Sequence, residues 1–284
     1  MIVRLPYRPP FTYGPLWNSL AAHSVPGLDE RNPTTGAHSR TIAGPTGPAT
    51  VTVRVRPGEE HMEVDIEPAS AADMDDVVEV VRRWLDLEAD PTVVDAALAR
   101  DSIMAPLVSK RPGLRRLGSV DGFETAVLTI LGQQVSLGAA RTFGSRLVSE
   151  YGGDHGRFRL FPQPGDLAAE STDRLRAVVG LTNARARTVT ALATAVSEGL
   201  SLDHRAVPEQ FRSELLSVPG IGPWTVDYLT VRILGDADAF VPGDLVLKRA
   251  LNVDSAGEAA DLAESWRPWR AYALFHLWTE AVYG

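Results

Sequence analysis

The hydrophobic period of the chain changes once. Between residues 50 and 67 apolar and polar side chains alternate: Val51, Val53 and Val55 are spaced by Thr52 and Arg54, and Met62, Val64 and Ile66 by Glu63 and Asp65. Period two on either side of Pro57-Gly58 predicts an antiparallel hairpin. Residues 39–43, closed by Gly44-Pro45, predict a third strand. From about 71 to 87 the period becomes helical, with Met74, Val77, Val78, Val81, Trp84 and Leu85 on one stripe. Beyond Pro91 no further sheet pattern is expected. Amphipathic helical stretches follow one another over 121–134, 137–151, 172–179, 185–198, 208–217, 223–234, 244–251 and 259–282. The pattern predicts an α+β chain, a small α/β N-terminal unit followed by a mostly helical bundle.

Within the helical part, residues 216–249 carry the strongest chemical signal. Val218-Pro219-Gly220-Ile221-Gly222 is a Gly-rich turn between two apolar helical runs, and Pro223 suits the first turn of the second helix. One reading is a plain helix C-cap and restart. The other is a rigid hairpin whose bare amides cradle a phosphate at a helix N-terminus. Leu215, Leu216 and Val218 before it, and Val226, Leu229 and Ile233 after it, let both helices pack on one core, which favours the second reading.

Asp244, in Val241-Pro242-Gly243-Asp244, opens the next helix and reads as an N-cap. Capping and chemistry are compatible, because a helix N-terminus stabilises an ionised carboxylate. Trp224 and Tyr228 share a helix face at i and i+4, and Trp278 lies on the last helix. Such aromatics serve either the core or a stacking pocket. Gln133-Gln134, after Ile130-Leu131-Gly132, marks either a solvated helix end or a long amide poised to enter a nucleic-acid stack.

Bulk properties remove other classes. The 284 residues, 44% hydrophobic and 23% charged, suit one large or two to three small globular domains. No apolar run approaches the roughly 20 residues of a membrane span, and MIVRLPYRPPF lacks a signal-peptide build, so a cytoplasmic, nucleoid-associated location is expected. The absence of cysteine excludes disulfides, thiolate nucleophiles and cysteine-ligated metals. The six histidines show no metal-ligand spacing and read as surface or packing residues. A net charge of −8 weighs against an indiscriminate nucleic-acid binder, leaving a local basic face at Lys110-Arg111, Arg115-Arg116, Arg141 and Arg146.

These residues resemble the AlkA-type 3-methyladenine DNA glycosylases II of the helix-hairpin-helix superfamily. The resemblance spans most of the chain. It is most specific at 111–115 with 121–124 and 130–133, at 219–228, and at 240–248 with Trp266-Arg267-Pro268-Trp269-Arg270 through Trp278. It implies a TATA-binding-protein-like unit at 1–86, a discontinuous helical subdomain of 87–118 with 237–284, and a hairpin-bearing subdomain at 119–236.

The resemblance also assigns roles. Asp244 matches the catalytic aspartate, and Trp224, Tyr228 and Trp278 match the base pocket. Val218, Gly220, Ile221 and Gly222 match the DNA-gripping hairpin, and Gln134 matches the intercalating wedge. A structural sodium or potassium ion on the carbonyls of Val218 and Gly220 is implied, and no other cofactor. Lys248, at i+4 from Asp244, is expected in a salt bridge or on a DNA phosphate. The best-known member has an apolar wedge and an aromatic directly after its aspartate; here Gln134 and Leu245 stand there. Bifunctional relatives carry a lysine where this chain has Trp224, which implies base release without strand cleavage. The expected partner is duplex DNA with alkylated bases, bound by a monomer. The competing class is a non-catalytic helix-hairpin-helix DNA-binding module. A fused alkyl-transfer regulator would need a nucleophilic cysteine.

Overall fold

The computed structural model describes residues 1–283, apart from the side chain of Tyr283. Five antiparallel strands, β1 (Ile2–Pro6), β2 (Asp29–Arg31), β3 (His38–Ala43), β4 (Pro48–Val55) and β5 (His61–Glu67), form a sheet in the order β1-β5-β4-β3-β2. The period-two pattern sets its faces. Val51, Val53, Met62, Val64 and Ile66 are fully buried against α1 (Tyr13–His23) and α2 (Met74–Trp84), while Arg54 pairs across the other face with Glu63 at 3.4 Å. The 71–87 stretch keeps its stripe, with Val77, Val81 and Trp84 buried. β1 and α1 carry weaker signals. In β1 only Leu5 is buried, and α1 carries Gly14 and Pro15 in its first turn.

The helical part comprises α3 (Pro91–Leu98), α4 (Met104–Lys110), α5 (Gly122–Gly132), α6 (Leu137–Tyr151), α7 (Pro164–Ala169), α8 (Thr172–Val179), α9 (Asn183–Ser197), α10 (Pro208–Ser217), α11 (Pro223–Leu229), α12 (Leu245–Leu251), α13 (Ala256–Ala263) and α14 (Arg270–Trp278). Two points correct the sequence expectations. A short hairpin, β6 (Asp154–His155) with β7 (Phe158–Arg159), interrupts the helices. It is too short to show alternation, and Arg159 holds it by donating to the carbonyls of Val148 and Gly152 at 3.0 and 2.6 Å. The 259–282 stretch is also not one helix: α13 gives way to a 3-10 turn at Glu264–Trp266, and α14 restarts after Pro268, which has no amide to donate.

Two cores divide the helices. One contains Val127, Leu147, Leu192, Leu215 and Val226; the other contains Met104, Val241, Leu247, Trp266 and Leu274. α11 and the π turn that follows it (Thr230–Leu234) run along the seam, so Tyr228 packs against both cores. The sheet is tied to α5 by a buried pair. Arg40 of β3 reaches both oxygens of Glu124 at 2.7 Å, which leaves neither charge unpaired at that interface.

Candidate active site

The hairpin between α10 and α11 is built as the sequence suggests. Gly220 has φ +90°, a region that disfavours L side chains, and a Cβ there would lie 1.9 Å from the Thr188 hydroxyl oxygen. Glycine is therefore required twice over. Among the described residues the amides of Gly220 and Gly222 make no backbone hydrogen bond, whereas Ile221 donates to the Val218 carbonyl at 3.1 Å. The turn presents amides outward at the start of α11, the arrangement that receives an anion. The Val218 carbonyl keeps one lone pair after that bond. With the carbonyl of Gly220 it offers neutral hard oxygens, a donor set that fits an alkali cation.

α11 carries Trp224 and Tyr228 from this hairpin onto one face, where their rings stack with centroids 5.4 Å apart and an interplanar angle of 16°. Trp278, at the end of α14, completes the group at 5.8 Å from Tyr228. All three are half-buried.

Asp244 caps α12 and is 8% exposed. Its Oδ1 accepts from the Leu247 amide at 2.8 Å and from Trp278 Nε1 at 3.0 Å, and its Oδ2 accepts from Trp224 Nε1 at 3.1 Å. Capping and site roles thus coexist. The helix amide fixes the carboxylate, and the carboxylate in turn fixes the two indoles.

These four residues line a cavity of about 490 Å³, a volume within the range typical of ligand pockets. Two further lining residues escaped the sequence reading. Arg232, on the π turn, donates to the Tyr228 hydroxyl at 2.7 Å and to the Gly118 carbonyl at 3.2 Å. His23 comes from α1 of the sheet unit. It is accessible to solvent although protein surrounds it, because the surface it occupies is the inside of the cavity. That enclosure lowers its imidazole to about 4, helped by the charges of Arg232 and Arg141 and opposed by Asp29. Its exposed surface lies in the cavity lining, a placement that only spatial neighbours reveal.

Gln134 follows α5 in the left-handed region, φ 54°, with its side chain exposed beside the cavity-lining residues Gly132, Val135 and Leu137. A non-glycine residue there is uncommon and is held by its surroundings. Gln133 donates to Thr225 Oγ1 at 2.8 Å, and Arg185 donates to the carbonyls of Ile130 and Gln133 at 3.1 and 2.5 Å.

Other assignments need correction. Of the two roles expected of Lys248, the salt bridge with Asp244 is not formed, since the carboxylate oxygens are occupied by N–H donors and the ammonium reaches the Asp254 carbonyl at 3.2 Å; the role on a DNA phosphate is a separate expectation. Leu245, directly after the aspartate, is 54% exposed and does not line the cavity, which Val246 does instead. The expected basic face is largely internal. Arg111, Arg115 and Arg116 are buried, with Arg111 on Glu280 at 2.6 Å and Arg116 on Asp86 at 3.3 Å. No helix among the described residues is long and apolar enough to cross a membrane.

The geometry has known counterparts. Residues 2–121 match the AlkA N-terminal domain family, and residues 127–266 match the HhH-GPD superfamily base excision DNA repair protein family. The chain is 32% identical over 280 residues to DNA-3-methyladenine glycosylase 2 of Escherichia coli, covering 96% of this chain and 95% of that protein. It is 37% identical over 295 residues to a probable bifunctional transcriptional activator/DNA repair enzyme AlkA of Mycobacterium tuberculosis. That match covers 98% of this chain but only 56% of the mycobacterial protein, so the chain spans little more than half of that relative. Among solved structures, the 3-methyladenine DNA-glycosylase of Archaeoglobus fulgidus superposes with a TM-score of 0.83 at 21% identity, over 99% of this chain and 98% of its own.

Proposed function

Since the chain belongs to the AlkA-type DNA-3-methyladenine glycosylases of the HhH-GPD superfamily, we propose that it is a monofunctional glycosylase of base excision repair. In this reading it flips alkylated purines out of duplex DNA and hydrolyses the N-glycosidic bond, leaving an abasic site. The observation that carries the proposal is a carboxylate held by two indole N–H groups and a helix amide beside an aromatic cavity. A protein that only grips phosphate needs neither the cavity nor the indoles.

The hairpin amides of Gly220 and Gly222, with Val218 and Ile221, hold the DNA backbone. A sodium or potassium ion on the Val218 and Gly220 carbonyls would add positive charge there. Gln134 enters the stack as the base leaves it. In the cavity, Trp224, Tyr228 and Trp278 stack on the base, and a cationic alkylpurine gains about 1–2 kcal/mol from their electron-rich faces. As the glycosidic bond breaks, positive charge develops on the sugar. Asp244, already fixed, stabilises that charge and orients water toward C1′, which is the role of preorganised electrostatics. Trp224 offers no amine for a Schiff base, so no strand cleavage follows.

In this reading the chain divides into 1–86, 87–118 with 237–284, and 119–236, and the enzyme works as a cytoplasmic monomer. Separate buried clusters support the division, although Leu87 and Leu117 join the sheet core and Val231 joins that of Met104 and Leu274. The test is single-turnover reaction with methylated duplex DNA, scoring free base and strand breaks separately. Released base with breaks only after alkali is the expected result. Duplex binding without base release would leave a DNA-binding module instead, and breaks without alkali would remove the monofunctional assignment.

A further inference from the structure

One hydrogen bond at the cavity has a fixed direction. Arg232 follows Tyr228 by four positions, and its Nη1 donates to the Tyr228 hydroxyl at 2.7 Å. A guanidinium cannot accept, so the phenol oxygen is the acceptor and its own hydrogen points elsewhere. Among the described residues that hydrogen has no protein acceptor. Tyr228 and Arg232 both line the cavity. Arg232 is anchored in turn, because its Nη2 donates to the Gly118 carbonyl at 3.2 Å and the Gly118 amide donates to the Trp84 carbonyl of the sheet unit at 2.9 Å. We infer that Arg232 positions the Tyr228 hydroxyl as a hydrogen-bond donor to the departing base, and that this bond promotes release of neutral purine lesions. This rests on the glycosylase reading and gives Tyr228 a role that its ring alone does not supply.

Neutral and cationic lesions differ in what they carry away. When the C1′–N9 bond breaks, its electron pair stays on the base and a water oxygen bonds to C1′. A cationic alkylpurine thereby becomes neutral, and the proton released by that water passes to solvent. A neutral purine instead departs as an anion, which ends by taking that proton. Negative charge develops on the ring only in the second case, so a donor fixed in advance favours that transition state most. Hydrogen bonds in series polarise one another, so the bond from Arg232 makes the phenol a stronger donor. Asp244 is held by the indoles of Trp224 and Trp278, whereas Arg232 is held by the phenol of Tyr228. One ring cluster therefore carries an anion suited to the sugar and a cation-backed donor suited to the base, and the two charges do not pair with each other.

The experiment compares single-turnover base release from two duplexes of the same sequence, one carrying hypoxanthine and one 7-methylguanine. Wild type, Tyr228→Phe, Arg232→Met and the double variant are assayed. Tyr228→Phe keeps the ring and removes the hydroxyl. It should lower the hypoxanthine-to-7-methylguanine rate ratio about tenfold, the loss of one hydrogen bond to a charged acceptor. Arg232→Met should lower the ratio in the same direction. The loss in the double variant should be smaller than the product of the two single losses, because both act through one hydrogen. If Arg232→Met fails to fold, the ratio for Tyr228→Phe decides alone. A ratio unchanged in Tyr228→Phe overturns the inference, as does a wild type that releases only 7-methylguanine. Single losses that multiply in the double variant overturn the positioning role of Arg232. A wild type that releases neither base overturns the glycosylase reading itself.

Discussion

Replacing Asp244 by asparagine separates the two roles of its carboxylate. All three neighbours are donors: Leu247 N and Trp278 Nε1 on Oδ1, and Trp224 Nε1 on Oδ2, at 2.8, 3.0 and 3.1 Å. An amide has one oxygen, so Asp244→Asn must turn its NH₂ toward a donor. The cheaper orientation keeps the cap and the Trp278 bond and sets NH₂ against the Trp224 indole. Losing one hydrogen bond to a charged acceptor costs about 1.5–3 kcal/mol. Removing a charge that is 8% exposed returns part of that, because its desolvation cost disappears. Net stability should therefore move by about 2 kcal/mol or less, a Tm shift of a few degrees in a chain of this size. Catalysis loses the charge itself, and removal of one preorganised electrostatic group costs about 10²–10³ in rate. Single-turnover excision of 7-methylguanine should fall by that factor while duplex binding persists. Trp224→Phe removes the indole bond and part of the stacking surface while leaving the carboxylate, and should cost about tenfold or less. If Asp244→Asn excises within tenfold of wild type, the carboxylate is not the working group. If Trp224→Phe loses as much as Asp244→Asn, the carboxylate acts by holding the rings and not by its charge.

Three other perturbations probe independent parts of the structure. Gly220→Ala should destabilise the protein by about 2 kcal/mol and weaken binding to undamaged duplex, because its Cβ meets the Thr188 hydroxyl at 1.9 Å and φ is +90°; adding Thr188→Ala should recover part of the loss in a thermal melt, and no recovery would refute the steric account. Gln134→Ala should slow excision from duplex DNA about tenfold and leave single-stranded substrate nearly unaffected, since only a duplex leaves a hole to fill; equal slowing of both would remove the wedge role. His276 is 1% exposed, and burial, then the Arg111 charge, lowers its imidazole from 6.5 to about 4. The unfolded chain binds this proton first, so stability is present in full above 6.5 and is lost as pH falls toward 4, by up to about 3 kcal/mol. Urea unfolding at pH 7 and pH 4.5 should show a smaller difference in His276→Phe than in wild type, and an unchanged difference would contradict the assignment.

What the sequence disclosed and what it hid divide along contact range. The β4–β5 hairpin, the Pro-Gly-Ile-Gly turn and the Asp244 cap are each set by residues within a few positions of one another, so composition and period reveal them. The block 121–124 is half legible: Asp121 caps α5, accepting from the Glu124 amide at 2.7 Å, but Glu124 itself exists for Arg40, 84 positions away. The aromatic run 266–278 is likewise divided, with Trp266 in the core at 1% exposure and Trp278 on the Asp244 carboxylate. The arginines of 111–116 looked like a DNA-facing surface by charge alone, yet their partners Glu280 and Asp86 are distant in sequence and turn them inward. His23 is the sharpest case. It lies on a helix that buries only Leu16, Trp17 and Leu20, and it reaches a cavity also lined by Arg232, 209 positions later, through the packing of the sheet unit against the helices. A local code therefore specifies the hairpin turn and the Asp244 cap, while the walls of the cavity come from how the cores pack.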